Sequence, residues 1–292
     1  MLVIWKDAPQ EKKTFYLSER LAINLNNYVD GVMTKNTSAV FIIDGRSGLG
    51  KTTLSTQIGC YINNKTKEYL KDNNPPFTLE NNICFTPSDF VNRLKVARKG
   101  DIIILDEAMM ISSRSAMTEL NRNVIYMMSL IRSKNIFVIF NVNSIFDLDK
   151  NLPLHRADML ISLYPRDGKF GARGCYMVVP STGGKLKKVY ISGKKYYDYS
   201  LAFKIKAFND TFTSFFPFKD NEYETRKQEA IQIYLESGSQ KEDSITKRAR
   251  DNYIKWILHN HPGMTKDEVA RIGQISARTI YRSLKEEEKV LS

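Results

Sequence analysis

Eight consecutive residues, Gly45, Arg46, Ser47, Gly48, Leu49, Gly50, Lys51 and Thr52, carry the most specific chemistry in the sequence. They fit G-x-x-x-x-G-K-[ST] in full. The glycines let backbone N–H groups wrap a phosphate chain, and Lys51 can reach β- and γ-phosphates. Thr52 offers a hydroxyl to Mg²⁺, and a helix opening at Lys51 points its positive end at the anion. With Thr53, these are the candidate nucleotide-binding residues. The alternative is a glycine turn that only joins a strand to a helix. The strand before the motif and the helix after it favour the phosphate reading.

Asp106 and Glu107 end the run DIIILDE. An Asp at the end of an apolar strand, downstream of a phosphate loop, can orient the water shell of Mg²⁺. Thr52 and Asp106 are therefore the candidate metal residues. Glu107 is the candidate general base for an attacking water. Asn141 and Asn143 close the next apolar run, IFVIFNVN. Alternation puts them on one face, where either could read a γ-phosphate or fix the water; an ordinary strand-end turn is the alternative. Arg114, Arg122, Arg132 and Arg156 follow the DE pair. One could serve as a finger on the γ-phosphate from a neighbouring subunit, and Arg132 and Arg156 are the preferred pair. For each, a solvated surface arginine is the competing reading.

These residues need elements to hold them. Ser18 suits the cap of a helix running to about Met33. AVFIID at 39–44, IIIL at 102–105 and IFVIFNV at 136–142 read as buried strands. Pro87 and Ser88 open a helix toward Val96, and 117–133 has amphipathic helical spacing. Strands separated by helices predict parallel βαβ units and an α/β fold. Beyond Tyr164, GCYMVVP and KKVYISGKKYYDY read as antiparallel strands, with Gly183 and Gly184 suiting a tight turn.

The order of phosphate loop, strand-end DE and polar strand end resembles the additional-strand P-loop ATPases. That class includes RecA-like motors, AAA+ proteins, the HerA/FtsK group of DNA-pumping ATPases and phage ATPases of the zonula-occludens-toxin type. The resemblance covers residues 38–165. An arginine before the third strand and β-structure after the core favour the HerA/FtsK side. NVNSIFDLDKNLPLHRAD favours AAA+, and Asn stands where HerA/FtsK-like motors commonly have Gln. The resemblance implies ATP as the nucleotide, Mg²⁺ as its metal, and a homo-oligomeric ring, with a hexamer among the candidate sizes.

From Arg166 to Lys206 the local charge balance is +8, two-thirds of the +12 of the whole chain. Tyrosines interleave with Lys187, Lys188, Lys194 and Lys195. Such a surface suits a nucleic-acid backbone and stacked bases. The alternative is a sheet edge guarded by lysines. The tail, MTKDEVARIGQISARTIYRSLKEEEK, resembles a helix-turn-helix with Thr265 and Ser276 as caps. Ser276, Arg278, Thr279 and Arg282 would face DNA. A small helical bundle for protein contact is the alternative.

The expected organisation is a lead-in helix over 1–37, a P-loop NTPase core of RecA-like fold with a mainly parallel sheet over 38–165, and a basic β-rich extension over 166–222. A helix and linker over 223–243 and an all-α helix-turn-helix domain over 244–292 complete it. Hydrophobic residues at 42% and charged residues at 26% over 292 positions describe a globular chain. Three scattered cysteines argue against a disulfide framework or zinc site and for a reducing, cytoplasmic setting. The start of the sequence does not read as a signal peptide, and no apolar run has the length of a membrane span.

The function expected is a Mg²⁺-dependent ATPase acting on DNA, as a translocase for packaging, transfer or replication of a mobile element. The rivals are an AAA+-like loader or regulator of replication or transposition, and a nucleotide-controlled DNA-binding regulator with little turnover. A small-molecule kinase is a weaker fit, for want of a clear acceptor pocket and lid.

Overall fold

A computed structural model describes residues 1–7, 14–71, 74–106, 131, 133–166, 174–230, 232, 263–265 and 267–268. Two compact units divide the chain, Met1–Ala230 and Ile231–Ser292.

In the first unit, strands β1 (Leu2–Ile4) and β2 (Thr14–Tyr16) form an antiparallel pair. Helix α1 (Glu19–Thr34) follows, with the Ser18 hydroxyl accepting from the Leu21 N–H at its first turn. Strand β3 (Ala39–Asp44) then leads through the phosphate loop into α2 (Lys51–Leu70). Helix α3 (Leu79–Asn82), strand β4 (Ile83–Cys84), helix α4 (Pro87–Val96) and strand β5 (Ile102–Leu105) come next. Beyond 107–130, strand β6 (Phe137–Val142), the short α5 (Asn151–His155) and strand β7 (Met159–Tyr164) complete the parallel part. The amphipathic helix expected over 117–133 lies almost wholly outside the described residues.

The seven-stranded sheet runs β4-β5-β6-β3-β7-β8-β9, with β8 spanning Cys175–Pro180 and β9 Phe208–Thr211. Strands β4 to β7 are parallel, and β8 and β9 are antiparallel additions. Every residue of β3, β5 and β6 is buried, as expected where helices cover both faces of a parallel sheet. Phe41 and Ile43 point into one core, and Val40 and Ile42 into the other. Strand β6 sits between β3 and β5. Leu105 pairs with Phe140, and Ile43 pairs with Asn141. This register brings the ends of three strands to one rim, where Asp44, Asp106 and Asn141 lie.

The segment after β8 corrects one expectation. GCYMVVP is strand β8, but KKVYISG lies in helix α6 (Lys185–Gly193), followed by α7 (Ser200–Ile205). Leu186, Val189, Tyr190 and Gly193 are its buried residues, and that spacing is helical. Gly183 and Gly184, at φ +65° and +68°, turn the chain into this helix and do not make a hairpin. The lysines therefore lie on and after a helix, and the reading of them as guards of a sheet edge does not apply. A further helix, α8, covers 220–230.

In the second unit, Thr265 and Glu268 form a reciprocal cap. The Thr265 N–H and hydroxyl donate to Glu268 Oε2, each at 2.8 Å, and the Glu268 N–H donates to Thr265 Oγ1 at 3.3 Å. This is a helix-start arrangement. Among the described residues, no helix is long and apolar enough to cross a membrane.

Candidate functional site

The loop between β3 and α2 requires its glycines. Gly45 has φ +146°, and a Cβ there would stand 2.9 Å from Leu163 Cβ and 3.0 Å from Leu163 O. Gly50 caps α2 in the left-handed region at φ +96°, with no side-chain cap bond. The first-turn N–H groups of α2 are thus left without a side-chain cap, as an anion site at a helix start needs. Arg46, Ser47 and Gly48 are exposed, whereas Leu49 is buried.

Lys51 folds back over this loop. Its ammonium donates to Gly45 O at 2.7 Å, to Arg46 O at 3.3 Å and to Asn143 Oδ1 at 2.9 Å. The Thr52 hydroxyl donates to Asp106, 3.2 Å from each carboxylate oxygen. Asn141 Nδ2 donates to Asp106 Oδ1 at 2.8 Å and to Ser55 Oγ at 2.9 Å. Both asparagines therefore reach the site by different routes, Asn143 to Lys51 and Asn141 to Asp106. Thr52 and Asp106 supply a hydroxyl and a carboxylate, hard oxygen donors that suit Mg²⁺ when phosphate and water complete its shell.

A cleft of about 590 Å³ opens on these groups. Thr52, Thr53 and Asp106 form one wall, and Phe212, Phe216 and Tyr223 contribute the other. Gln57 of α2 fixes that second wall. It is fully buried, and its amide donates to Thr213 O and Phe215 O, each at 2.8 Å. The Phe212 ring lies against Gly50, where an added Cβ would meet it at 3.0 Å.

Tyr223 is the residue that sequence reasoning missed most plainly. It is 6% exposed, and its hydroxyl donates to Asp106 Oδ2. Burial, and then the Asp106 charge, push its phenol well above the ordinary value. It is a neutral donor. No spacing signal could have found it, because it stands 117 positions from Asp106.

A second cleft, of about 660 Å³, is lined by Arg46, Asn143, Tyr164, Tyr199 and Phe203, among others. Behind it Asp44 is wholly buried. It accepts from the Tyr199 hydroxyl and, at 3.0 Å, from the Ile145 N–H. Burial raises the Asp44 carboxyl above the usual carboxylate value, opposed by those bonds and by the nearby Lys51 charge.

Glu107, Arg132, Ser276, Arg278, Thr279 and Arg282 lie outside the described residues. Arg156 is exposed at the end of α5 and lines neither cleft. Lys187 and Lys188 on α6 are exposed, as is Lys195 just beyond it. Lys195 stands 4.9 Å from the Tyr196 ring. Lys194 is half-buried and donates to Phe146 O, which turns it toward the segment after β6.

Residues 41–164 match the family model described as "ATPase family associated with various cellular activities (AAA)". No curated protein matches the chain. Among solved structures, the N-terminal domain of zonular occludens toxin from Neisseria meningitidis is similar at 16% identity. That similarity covers 61% of this chain and 94% of that one, with a TM-score of 0.38. B204, the DNA-packaging ATPase from Sulfolobus Turreted Icosahedral Virus, is similar at 18% identity over 45% of this chain and 78% of that one, with a TM-score of 0.30. The FIGL-1 AAA domain in complex with ADP is similar at 16% identity over 56% of each chain, with a TM-score of 0.34. The family match spans the phosphate loop, Asp106 and both asparagines. Residues 41–164 carry an ATPase domain with the P-loop fold, and the chain is an ATP hydrolase.

Proposed function

We propose that the chain is a Mg²⁺-dependent ATPase that acts on DNA as a homo-oligomeric ring, in the manner of a HerA/FtsK-like translocase. The observation that carries the catalytic part is the convergence of Lys51, Thr52, Asp106, Asn141 and Asn143 on one rim of the sheet. Lys51 and the loop N–H groups, from Gly45 to Thr53, hold the phosphates. Thr52 and Asp106 would hold Mg²⁺, which would supply charge neutralisation for the phosphoryl group.

The chain's own residues then manage the water. Glu107 accepts its proton as the water oxygen bonds to the γ-phosphorus and the bond to the β–γ bridging oxygen breaks. Asn143 reports on the γ-phosphate through the ammonium it already contacts. Asn141 keeps Asp106 in place from a fully buried position. Arg132 or Arg156 of a neighbouring copy supplies the finger, which makes the active form a ring.

The DNA part rests on charge. Lys187, Lys188 and Lys195 form an exposed cationic surface beside Tyr196, and the chain carries a net +12. Residues 244–292 serve as a helix-turn-helix, with Ser276, Arg278, Thr279 and Arg282 toward the groove. The AAA family match favours a second reading, a loader or regulator of replication or transposition that switches without moving along DNA. Turnover with and without double- and single-stranded DNA, read beside particle size and strand displacement, separates the two. DNA-stimulated turnover with movement supports the motor, and turnover without movement supports the loader.

A further inference from the structure

We propose that Tyr223 is a positioning residue of the metal site: its hydroxyl holds one oxygen of Asp106 and yields it when a hydrated divalent cation arrives with nucleotide. This rests on the reading of Thr52 and Asp106 as the metal pair.

Asp106 is 1% exposed, so its carboxylate oxygens need donors inside the protein. Three side chains provide them. Asn141 Nδ2 bonds Oδ1 at 2.8 Å, and it is itself anchored to Ser55 Oγ at 2.9 Å in the core. Thr52 Oγ1 lies 3.2 Å from both oxygens. Tyr223 takes Oδ2. Asn141 is fully buried and tied at once to Oδ1 and to Ser55. Thr52 can keep its bond while offering a lone pair to a cation. Tyr223 is the donor whose place a cation-bound water can take, because it lines the same cleft as Thr52 and Asp106.

The ring around that hydroxyl is held independently of it. Tyr223 packs against Phe85 at 5.4 Å and edge-on to Phe216 at 5.3 Å between ring centres. Its N–H donates to Lys219 O at 3.1 Å, at the start of α8. Removing the hydroxyl alone therefore leaves the wall in place. A charge-assisted bond is stronger than a neutral one, so its rupture on cation arrival weakens cation-dependent nucleotide binding by a measurable factor.

The test uses the full chain and the Tyr223→Phe variant, with AMP-PNP as probe, by titration calorimetry in Mg²⁺ and in EDTA. The Phe variant should bind AMP-PNP roughly threefold to tenfold more tightly than wild type in Mg²⁺, the scale of one hydrogen bond to a charged group. In EDTA the two should agree within about twofold. An equal change in both conditions makes Tyr223 structural only, and weaker binding confined to Mg²⁺ means the hydroxyl serves the cation-bound state; either overturns the proposal. If wild type itself gains nothing from Mg²⁺, the metal reading falls and this proposal with it. As a second readout free of any folding loss, 3-fluorotyrosine at position 223 should shift its fluorine resonance with Mg²⁺ and AMP-PNP together. It should stay in place with AMP-PNP and EDTA, and a resonance unmoved in both overturns the proposal.

Discussion

Lys51 donates to Asn143 Oδ1 at 2.9 Å, joining two residues 92 positions apart across the rim of the sheet. The same ammonium closes on Gly45 O and Arg46 O. The lysine is therefore already aimed at the mouth of its loop, and the asparagine stands where a terminal phosphate would compete for it.

Lys51 and Glu107 should fail in different ways. On the proposed reading Lys51 touches phosphate in the ground state, so Lys51→Ala should weaken nucleotide binding by roughly tenfold or more. On the same reading Glu107 acts when water attacks, so Glu107→Gln should keep binding and lower turnover by roughly 10²- to 10⁴-fold. Nucleotide affinity and steady-state turnover on both variants check this. Near-normal turnover in Glu107→Gln would remove Glu107 from the role of base.

The lysines divide by geometry. Lys187, Lys188 and Lys195 are exposed, whereas Lys194 is directed to Phe146 O. Replacing the three exposed lysines with Ala should weaken duplex binding for all sequences alike. It should also flatten the log–log salt slope by about 0.9 for every phosphate that the variant no longer neutralises. Duplex affinity across a salt series measures both. An unchanged slope would make these lysines ordinary solvated charges.

Asp44 should leave a signature in stability against pH. Burial raises its carboxyl above the ordinary 3.8. The folded state thus holds a proton that the unfolded state has released, and stability falls as pH rises from the unfolded value through the folded one. Asp44→Asn carries no such proton and should lose that part of the slope. Urea unfolding of both forms from pH 3.5 upward, roughly spanning the reference carboxylate range, reads the difference. Parallel profiles would contradict it.

What the sequence made legible follows from contiguity. Gly45 to Thr52 is one run, so its chemistry was readable without a fold. Asp106 was readable because four apolar residues precede it, and the asparagines because they end a strand. The β3, β5 and β6 strands announced themselves as apolar runs, closed in β3 by Asp44 and broken in β6 only by Asn141. Helix α6 did not, because Lys185, Leu186 and Lys187 alternate like the two faces of a strand; Leu186, Val189, Tyr190 and Gly193 carried the true period. Tyr223 on Asp106 and Tyr199 on Asp44 are contacts across 117 and 155 positions. Only the folded chain, with β8 and β9 added beyond β7, brings those segments to the rim.

The proposal that this rim hydrolyses ATP with Mg²⁺ in the service of DNA is tested most directly by steady-state ATP turnover of the full chain. Turnover is measured in Mg²⁺ and in EDTA, each with and without duplex DNA, beside Lys51→Ala. It should need Mg²⁺, rise with DNA and vanish in Lys51→Ala. Turnover that is indifferent to Mg²⁺ and DNA, or that survives in Lys51→Ala, would contradict this assignment of the site.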